Sequence, residues 1–191
     1  MIPRESLLSL ESYTKIRPQF RAEVIPHRRL RTVHLGEHLT FQFEDEKTIR
    51  YQIQEMLRVE KIFEEAGIQD ELDAYNPLVP EGKNWKATLL IEYPEVEQRQ
   101  RELARLIGVE DKVYVQVQGF AKIYAIADED LERETAEKTS SVHFLRFEFS
   151  ADEITAIRDG RPVLVGCDHP HYPASMPIPA PTLAALKQDF G

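Results

Sequence analysis

The strongest constraint on the fold is the alternating pattern of residues 138–150, KTSSVHFLRFEFS, which fits a β-strand. Leu145, Phe147 and Phe149 fall on one face with His143 in line with them, and the other face also begins with apolar residues. A strand that is apolar on both faces is typical of the middle of a covered sheet. We therefore expect a central strand whose few polar side chains need partners inside the protein.

The rest of the pattern predicts a single α+β domain. The best helix runs over residues 46–66, with Asp45 as its N-cap and Gly67 as its stop. Further strands are predicted at residues 34–43, 85–93, 112–118 and 161–167. Because the connections between the middle strands are short, we expect a mixed, mainly antiparallel sheet with the 46–66 helix packed across one face.

The two ends of the chain differ from its middle. Residues 1–34 are expected to form short helices interrupted by Pro18 and Pro26, because proline fixes φ and removes a donor. Five of the twelve prolines lie between residues 170 and 181, which predicts an extended tail that crosses the body without folding on itself. We divide the chain into a basic helical arm, 1–34, and an α+β body, 35–191, which together form one compact unit.

Charge and composition restrict the partners. Residues 1–36 carry a net charge of +4, whereas the whole chain carries −9. The arm is therefore expected to bind phosphate or an acidic protein partner, or to dock on this protein's own acidic body or on a second copy of the chain. An acidic domain argues against a nucleic-acid partner. The absence of a long apolar run excludes a membrane span, and the single cysteine, together with an N-terminus unlike a secretory signal, favours the reducing cytoplasm.

One set of candidate catalytic residues combines a helix with the central strand. Glu60 falls on the apolar stripe of the 46–66 helix, where a carboxylate needs a partner. We expect Arg146 to hold it, with Glu148 as a competitor, or His143 if the helix covers the other face. Such a group is either a structural ion pair or a carboxylate tuned for proton transfer, and Tyr75 from the following connector could close over it.

A second set follows the last predicted strand. Cys167, Asp168, His169 and His171 combine the thiolate, carboxylate and imidazole ligands that suit zinc or iron. Cys167 and His169 leave an extended chain on the same side, whereas His171 follows a proline. The alternative is that Asp168 caps a turn and the histidines decorate a proline-rich surface.

Three stretches together resemble a known family. They are QIQEMLRVEK at 52–61, LDAYNPLVPEG with KATLLIEYP at 72–94, and EKTSSVHFLRFEF at 137–149. They are similar to the bacterial domain-of-unknown-function family 3501, and the resemblance extends over nearly the whole chain. It implies a setting near rubrerythrin-like proteins and iron–sulfur oxidoreductases related to heterodisulfide reductase, and it supplies no catalytic residues.

Two functions remain open at this point. The first is a non-catalytic accessory protein of a cytoplasmic redox or oxidative-stress system that acts through protein contacts. The second is a small metal-dependent enzyme that uses His143, Asp168, His169 and Glu60. No phosphate-binding loop, dinucleotide fingerprint, zinc-protease motif or CxxC pair occurs in the sequence.

Overall fold

The computed structural model describes residues 1–191 and contains six α-helices and nine strands. The helices are α1 (Leu10–Leu30), α2 (Glu46–Val59), α3 (Glu65–Tyr75), α4 (Val96–Arg105), α5 (Ala151–Arg158) and α6 (Ala180–Leu186). The strands are β1 (Thr32–Leu35), β2 (Leu39–Glu44), β3 (Asn84–Ile91), β4 (Val113–Val117), β5 (Ile123–Tyr124), β6 (Ile126–Ala127), β7 (Val142–Glu148), β8 (Val163–His169) and β9 (Tyr172–Pro177). None of the helices is both long and apolar enough to cross a membrane.

The strands form two sheets instead of the one mixed sheet that we expected. The larger sheet has the order β1-β2-β3-β7-β6 and the smaller one β5-β4-β8-β9, and every pairing is antiparallel. Valines of β4 and β8 join the aromatic and aliphatic residues of β2, β3 and β7 in one buried cluster. The main core therefore lies between the two sheets, and the predicted α+β domain is confirmed at that level.

Strand β7 occupies the interior position that the sequence predicts. It pairs with β3 on one side and with β6 on the other. Its residues alternate between fully and partly buried, with His143, Leu145 and Phe147 on the inner face. The imidazole of His143 thus lies in the main core, where it cannot reach bulk water.

Helices α2 and α3 cover the outer face of the larger sheet. Ile49, Ile53 and Leu57 of α2 form a second buried cluster with Ile68 and Leu72 of α3. The predicted single helix over 46–66 is wrong at its end: α2 stops at Val59, and Gly67 lies inside α3. Lys61 with φ of 55° makes the break, so the chain turns back across the same face.

The basic arm docks on the body. Pro18 and Pro26 lie inside α1 and do not interrupt it, contrary to the prediction. The missing hydrogen bonds are offset by packing on α2, since Tyr13 and Val24 are fully buried. Arg17 pairs with Glu55 at 2.7 Å. Part of the positive charge of the arm is therefore paired with acidic residues of the same protein.

The proline-rich tail folds back as a hairpin, which also differs from the prediction. Strand β9 lies at the sheet edge and pairs with β8. Because Ile178 donates its backbone N–H to Val163, the odd-numbered positions Pro173 and Pro177 point their nitrogens away from β8. Proline is tolerated at such edge positions, since no ladder bond is lost.

Candidate functional site

His143 is the centre of a buried polar cluster between the two sheets. Its Nδ1 lies 2.6 Å from Asp128 Oδ2, and its Nε2 lies 2.8 Å from Thr139 Oγ1. Glu110 Oε2 lies 3.8 Å from the same Nε2 and accepts a hydrogen bond from Thr139 at 3.3 Å. We refer to these four residues, His143, Asp128, Thr139 and Glu110, as the His143 centre.

Asp128 is held in place by the backbone and by an arginine. It sits directly after β6 with φ of 49°, a left-handed conformation that aspartate tolerates better than most residues. Its Oδ1 accepts the backbone N–H of Phe144 at 2.9 Å and Arg133 Nη1 at 3.0 Å. The guanidinium of Arg133 also lies 4.4 Å from the centroid of the Phe144 ring. These contacts leave Oδ2 free to orient the imidazole.

Glu110 comes from a short 3₁₀ turn, Val109–Asp111, that follows α4. Burial raises the pKa of its carboxyl, and the neighbouring Glu134 adds to that rise, while His143 lowers it. Glu134 itself accepts the backbone N–H of Gly108 at 2.5 Å. The carboxylates of Glu110 and Asp128 thus approach opposite nitrogens of the His143 ring.

The His143 centre has the atoms of a metal site and the order of a catalytic triad. One possible ligand atom from each of Glu110, Asp128 and His143 lies within 4.8 Å of the others. Thr139, His143 and Asp128 follow the order of nucleophile, base and orienting acid. However, Thr139 is 1% exposed and His143 is 0% exposed, so a substrate has no open path to either.

The predicted pairing of Glu60 with Arg146 is wrong. Glu60 caps the C-terminus of α2 and is exposed, because the helix has left the sheet at that point. Arg146 instead makes two hydrogen bonds to Glu129, of 2.9 and 2.7 Å, and one of 2.7 Å to Glu148. The sequence therefore predicted Glu148 as a partner of Arg146, but it did not predict Glu129.

The four predicted metal ligands of residues 167–171 face different surroundings. Cys167 lies in the main core, where burial raises the pKa of its thiol to about 11. Asp168 is exposed and binds Lys122 and Tyr124, at 2.8 and 2.6 Å. His169 is buried with Nε2 3.0 Å from the carbonyl of Ile107, and its Nδ1 accepts the backbone N–H of the exposed His171. Cys167 and His169 do share a side of β8, as predicted.

Comparison with known proteins supplies a family. The family described as "Protein of unknown function (DUF3501)" matches residues 1–190. The chain belongs to the DUF3501 family. This confirms the resemblance found in the sequence. Among curated proteins none matches this DUF3501 chain.

One solved structure is very similar to this DUF3501 protein. It is a crystal structure of a protein of unknown function from Burkholderia pseudomallei, with 56% sequence identity and a TM-score of 0.95. The match covers 100% of this chain and 99% of that one. The two proteins therefore share the two-sheet fold over their whole length.

Sequence reasoning found His143 and missed its three partners. Asp128 begins the acidic run 128–134, and runs of charged residues are usually exposed, so the sequence gives no sign that Asp128 lies inside the protein. Glu110 lies in the 3₁₀ turn after α4 of this DUF3501 chain. Thr139 lies in the predicted strand 138–150, but β7 begins only at Val142, so the alternating pattern did not position its side chain. The one available signal was an imidazole in line with core residues, which requires buried polar partners. Tyr75, the fourth candidate, lies apart from this centre and lines a cavity on the outer face of the larger sheet.

Proposed function

We propose that this protein is a non-catalytic accessory protein of a cytoplasmic redox system, and that it acts by binding a protein partner. The observation that carries the proposal is an apolar groove beside Phe63, in the break between α2 and α3. Phe63 is 72% exposed, an unusual position for an aromatic side chain on a free surface.

The groove has the composition of a protein-binding surface. It encloses about 370 Å³, and seven of its nine lining residues are hydrophobic. We call it the Phe63 groove; its hydrophobic residues are Leu7, Leu8, Leu10, Leu57, Ile62, Phe63 and Ile68. Arg4 stands at its rim and is paired with Glu65 at 2.7 Å. An aromatic anchor beside an aliphatic groove with a charged rim is the usual arrangement of an interface hot spot.

The family resemblance supports the choice of partner. It implies a setting beside rubrerythrin-like proteins and an iron–sulfur oxidoreductase related to heterodisulfide reductase, so we propose the iron–sulfur protein as the partner. The closed position of the His143 centre supports a role in binding, since its side chains are kept from any substrate.

Binding measurements with two matched variants test this proposal. Phe63→Ser is expected to weaken binding to the purified iron–sulfur partner at least about tenfold, because truncating a hot-spot aromatic removes much of the binding energy. Leu131→Ser is the control, since Leu131 is 56% exposed and lies outside the groove. Isothermal titration calorimetry measures both. Equal affinities for the two variants, or no complex with the unmodified protein, would contradict the proposal.

The His143 centre supports a second candidate, a zinc- or iron-binding protein. His143, Glu110 and Asp128 would be the ligands, and imidazole with carboxylates suits either metal. Metal analysis of protein purified without an affinity tag, from cells supplied with both metals, should then find one metal ion per chain. His143→Ala should lose it and His169→Ala should keep it. Protein without metal, or loss in the His169 variant alone, would refute this assignment.

A further inference from the structure

A cavity on the outer face of the larger sheet carries two charges of opposite sign. It encloses about 290 Å³ between the end of α1, helix α2, Tyr75 and strands β2, β3 and β7. We call it the Glu44 cleft after the carboxylate at its base. Its volume is just below the range of about 300–1,000 Å³ that is usual for small-molecule sites.

Glu44 is buried and receives only neutral hydrogen-bond donors. Thr88 donates to Oε1 at 2.8 Å, and Thr48 donates to Oε2 at 2.5 Å. The residue is 6% exposed, and no cation lies within salt-bridge distance of its carboxylate. Burial raises the pKa of Glu44, and neighbouring Asp45 contributes to the rise. The ionised carboxylate therefore has two hydroxyl donors and no positive charge at contact distance.

The nearest candidate for that charge is engaged elsewhere. Lys86 lies directly opposite Glu44 in the pairing of β2 with β3. Its ammonium instead donates to the carbonyl of Pro77 at 2.8 Å and lies 3.4 Å from Glu81. Charged residues that face each other across two strands normally pair. Here the pairing is not made, and Glu44 is left facing the cleft.

Arg28 brings the second charge to the cleft. It belongs to the last turn of α1 and lines the cavity, and its guanidinium has no acidic partner, unlike Arg4, Arg17 and Arg31. It is close enough to oppose the rise in the pKa of Glu44, yet too far to form a salt bridge with it. A ligand that spans the two residues would satisfy both charges.

We propose that the Glu44 cleft binds a small zwitterion of the amino-acid class, with its ammonium group on Glu44 and its carboxylate on Arg28. The cleft is also lined by Gln42, Thr48, Gln52, Tyr75 and Thr88. The apolar part of its wall would take the side chain of the ligand. It is formed by Ile49, Leu78, Leu90, Val142 and Phe144. An α-amino acid with an apolar side chain matches this set of one acid, one base and an aliphatic and aromatic wall. This proposal is independent of the Phe63 groove and of any metal.

A ligand screen followed by three comparisons tests the proposal. Thermal-shift measurements with the proteinogenic amino acids at millimolar concentration should show stabilisation by at least one apolar member. Titration calorimetry then compares that amino acid with its own amine, which lacks the carboxylate, and its own acid, which lacks the ammonium group. Each analogue should bind at least about tenfold more weakly, because one charge-assisted contact is lost.

Variants of the two charged residues locate the site. Glu44→Gln should weaken binding of the amino acid at least about tenfold, and Arg28→Met should reduce its affinity to that of the amine. Arg29→Met and Glu60→Gln are the matched controls, since both residues are exposed and lie outside the cleft. Leu90→Trp leaves both charges in place and fills the cleft, so it should abolish binding as well.

Three results would overturn the proposal. The first is a screen in which no amino acid stabilises the protein or produces binding heat. The second is equal binding by the zwitterion and one of its singly charged analogues. The third is a folded Glu44→Gln or Leu90→Trp variant, verified by circular dichroism, that binds the amino acid as the unmodified protein does.

Discussion

The His143 centre and the Glu44 cleft lie on opposite faces of the same sheet and bury polar groups in different ways. At the His143 centre, imidazole, carboxylates and hydroxyl satisfy one another within the protein. At the Glu44 cleft, the carboxylate has two hydroxyl donors, a cavity beside it and no cation in contact. In both places burial raises the pKa of a glutamic acid.

The difference concerns what each arrangement does for the protein. The hydrogen-bonded network of the His143 centre holds the segment between β6 and β7 against the core. Removing one of its members should therefore lower the free energy of unfolding. A buried charge beside a cavity lowers the stability of the fold, but it can strengthen the binding of a ligand of opposite charge. Burial of a glutamate therefore indicates a structural network at Glu110 and a binding site at Glu44. The two cases are distinguished by the groups that contact each carboxylate.

The largest expected effect is at the His143 centre. His143→Ala should lower the free energy of unfolding by about 3–5 kcal/mol, because it leaves a cavity in the core and removes the hydrogen-bond partner of Asp128 Oδ2 and of Thr139. Urea denaturation followed by circular dichroism measures the change. His171→Ala, at an exposed position, should change it by less than about 0.5 kcal/mol. A small loss of unfolding free energy in the His143 variant would show that water reaches this network. The contrast between a closed His143 centre and an open Glu44 cleft would then be wrong.

A matched pair of threonine variants gives the next effect. Thr139→Val removes a hydroxyl that serves both His143 and Glu110, and it should cost about 1–3 kcal/mol. Thr88→Val removes one donor to Glu44, where water from the cleft can take its place, so it should cost less than about 1 kcal/mol. Denaturation curves of both variants measure the difference. Equal costs would mean that the cleft is as closed as the His143 centre.

The smallest expected effect is a gain in unfolding free energy from a substitution at the Glu44 cleft. Glu44→Gln should leave the protein as stable or more stable by about 1 kcal/mol at neutral pH, since it replaces a buried, uncompensated carboxylate by an amide. Glu55→Gln is the control with the opposite sign. Arg17 holds the pKa of Glu55 at about 2, so its ionised form stabilises the fold.

The pH dependence of these two variants follows from the directions of the shifts. The raised pKa of Glu44 means that its ionisation costs stability as the pH rises above its ordinary value, so the advantage of Glu44→Gln grows from acid to neutral pH. The lowered pKa of Glu55 gives stability above its ordinary value that is lost as the pH falls toward about 2. The cost of Glu55→Gln should therefore shrink in acid. Thermal unfolding over that pH range checks both trends.

Regular alternation allowed the main strands to be predicted, and with them the buried His143. The period-two pattern of β7 depends only on burial of one face, which the sequence displays directly. The division into two sheets could not be predicted, because β5 and β6 have two residues each and lie in different sheets. A strand of two residues is too short to show the period-two alternation of buried and exposed positions.

The error at Glu60 has a definite cause. The helical period of α2 extends in the sequence past the point where Lys61 takes a left-handed conformation. Lysine gives no signal for such a turn, in contrast to glycine or asparagine. The partner of Arg146 was missed for a related reason, because Glu129 comes from an irregular segment that local pattern does not position. Sites built from loops are set by tertiary contacts that become visible only in the fold.

Arg31 connects the end of α1 to a distant part of the sequence. The buried guanidinium at the end of α1 binds the carbonyls of Phe43 and Glu44 and the carboxylate of Asp189, near the C-terminus. On the ribosome, Asp189 is synthesised 158 residues after Arg31. Before Asp189 is added, the acidic partner within reach of the guanidinium is Asp45, whose Oδ2 lies 3.5 Å from Arg31 Nη1. The contacts of α1 are therefore completed only after residue 189 has been added.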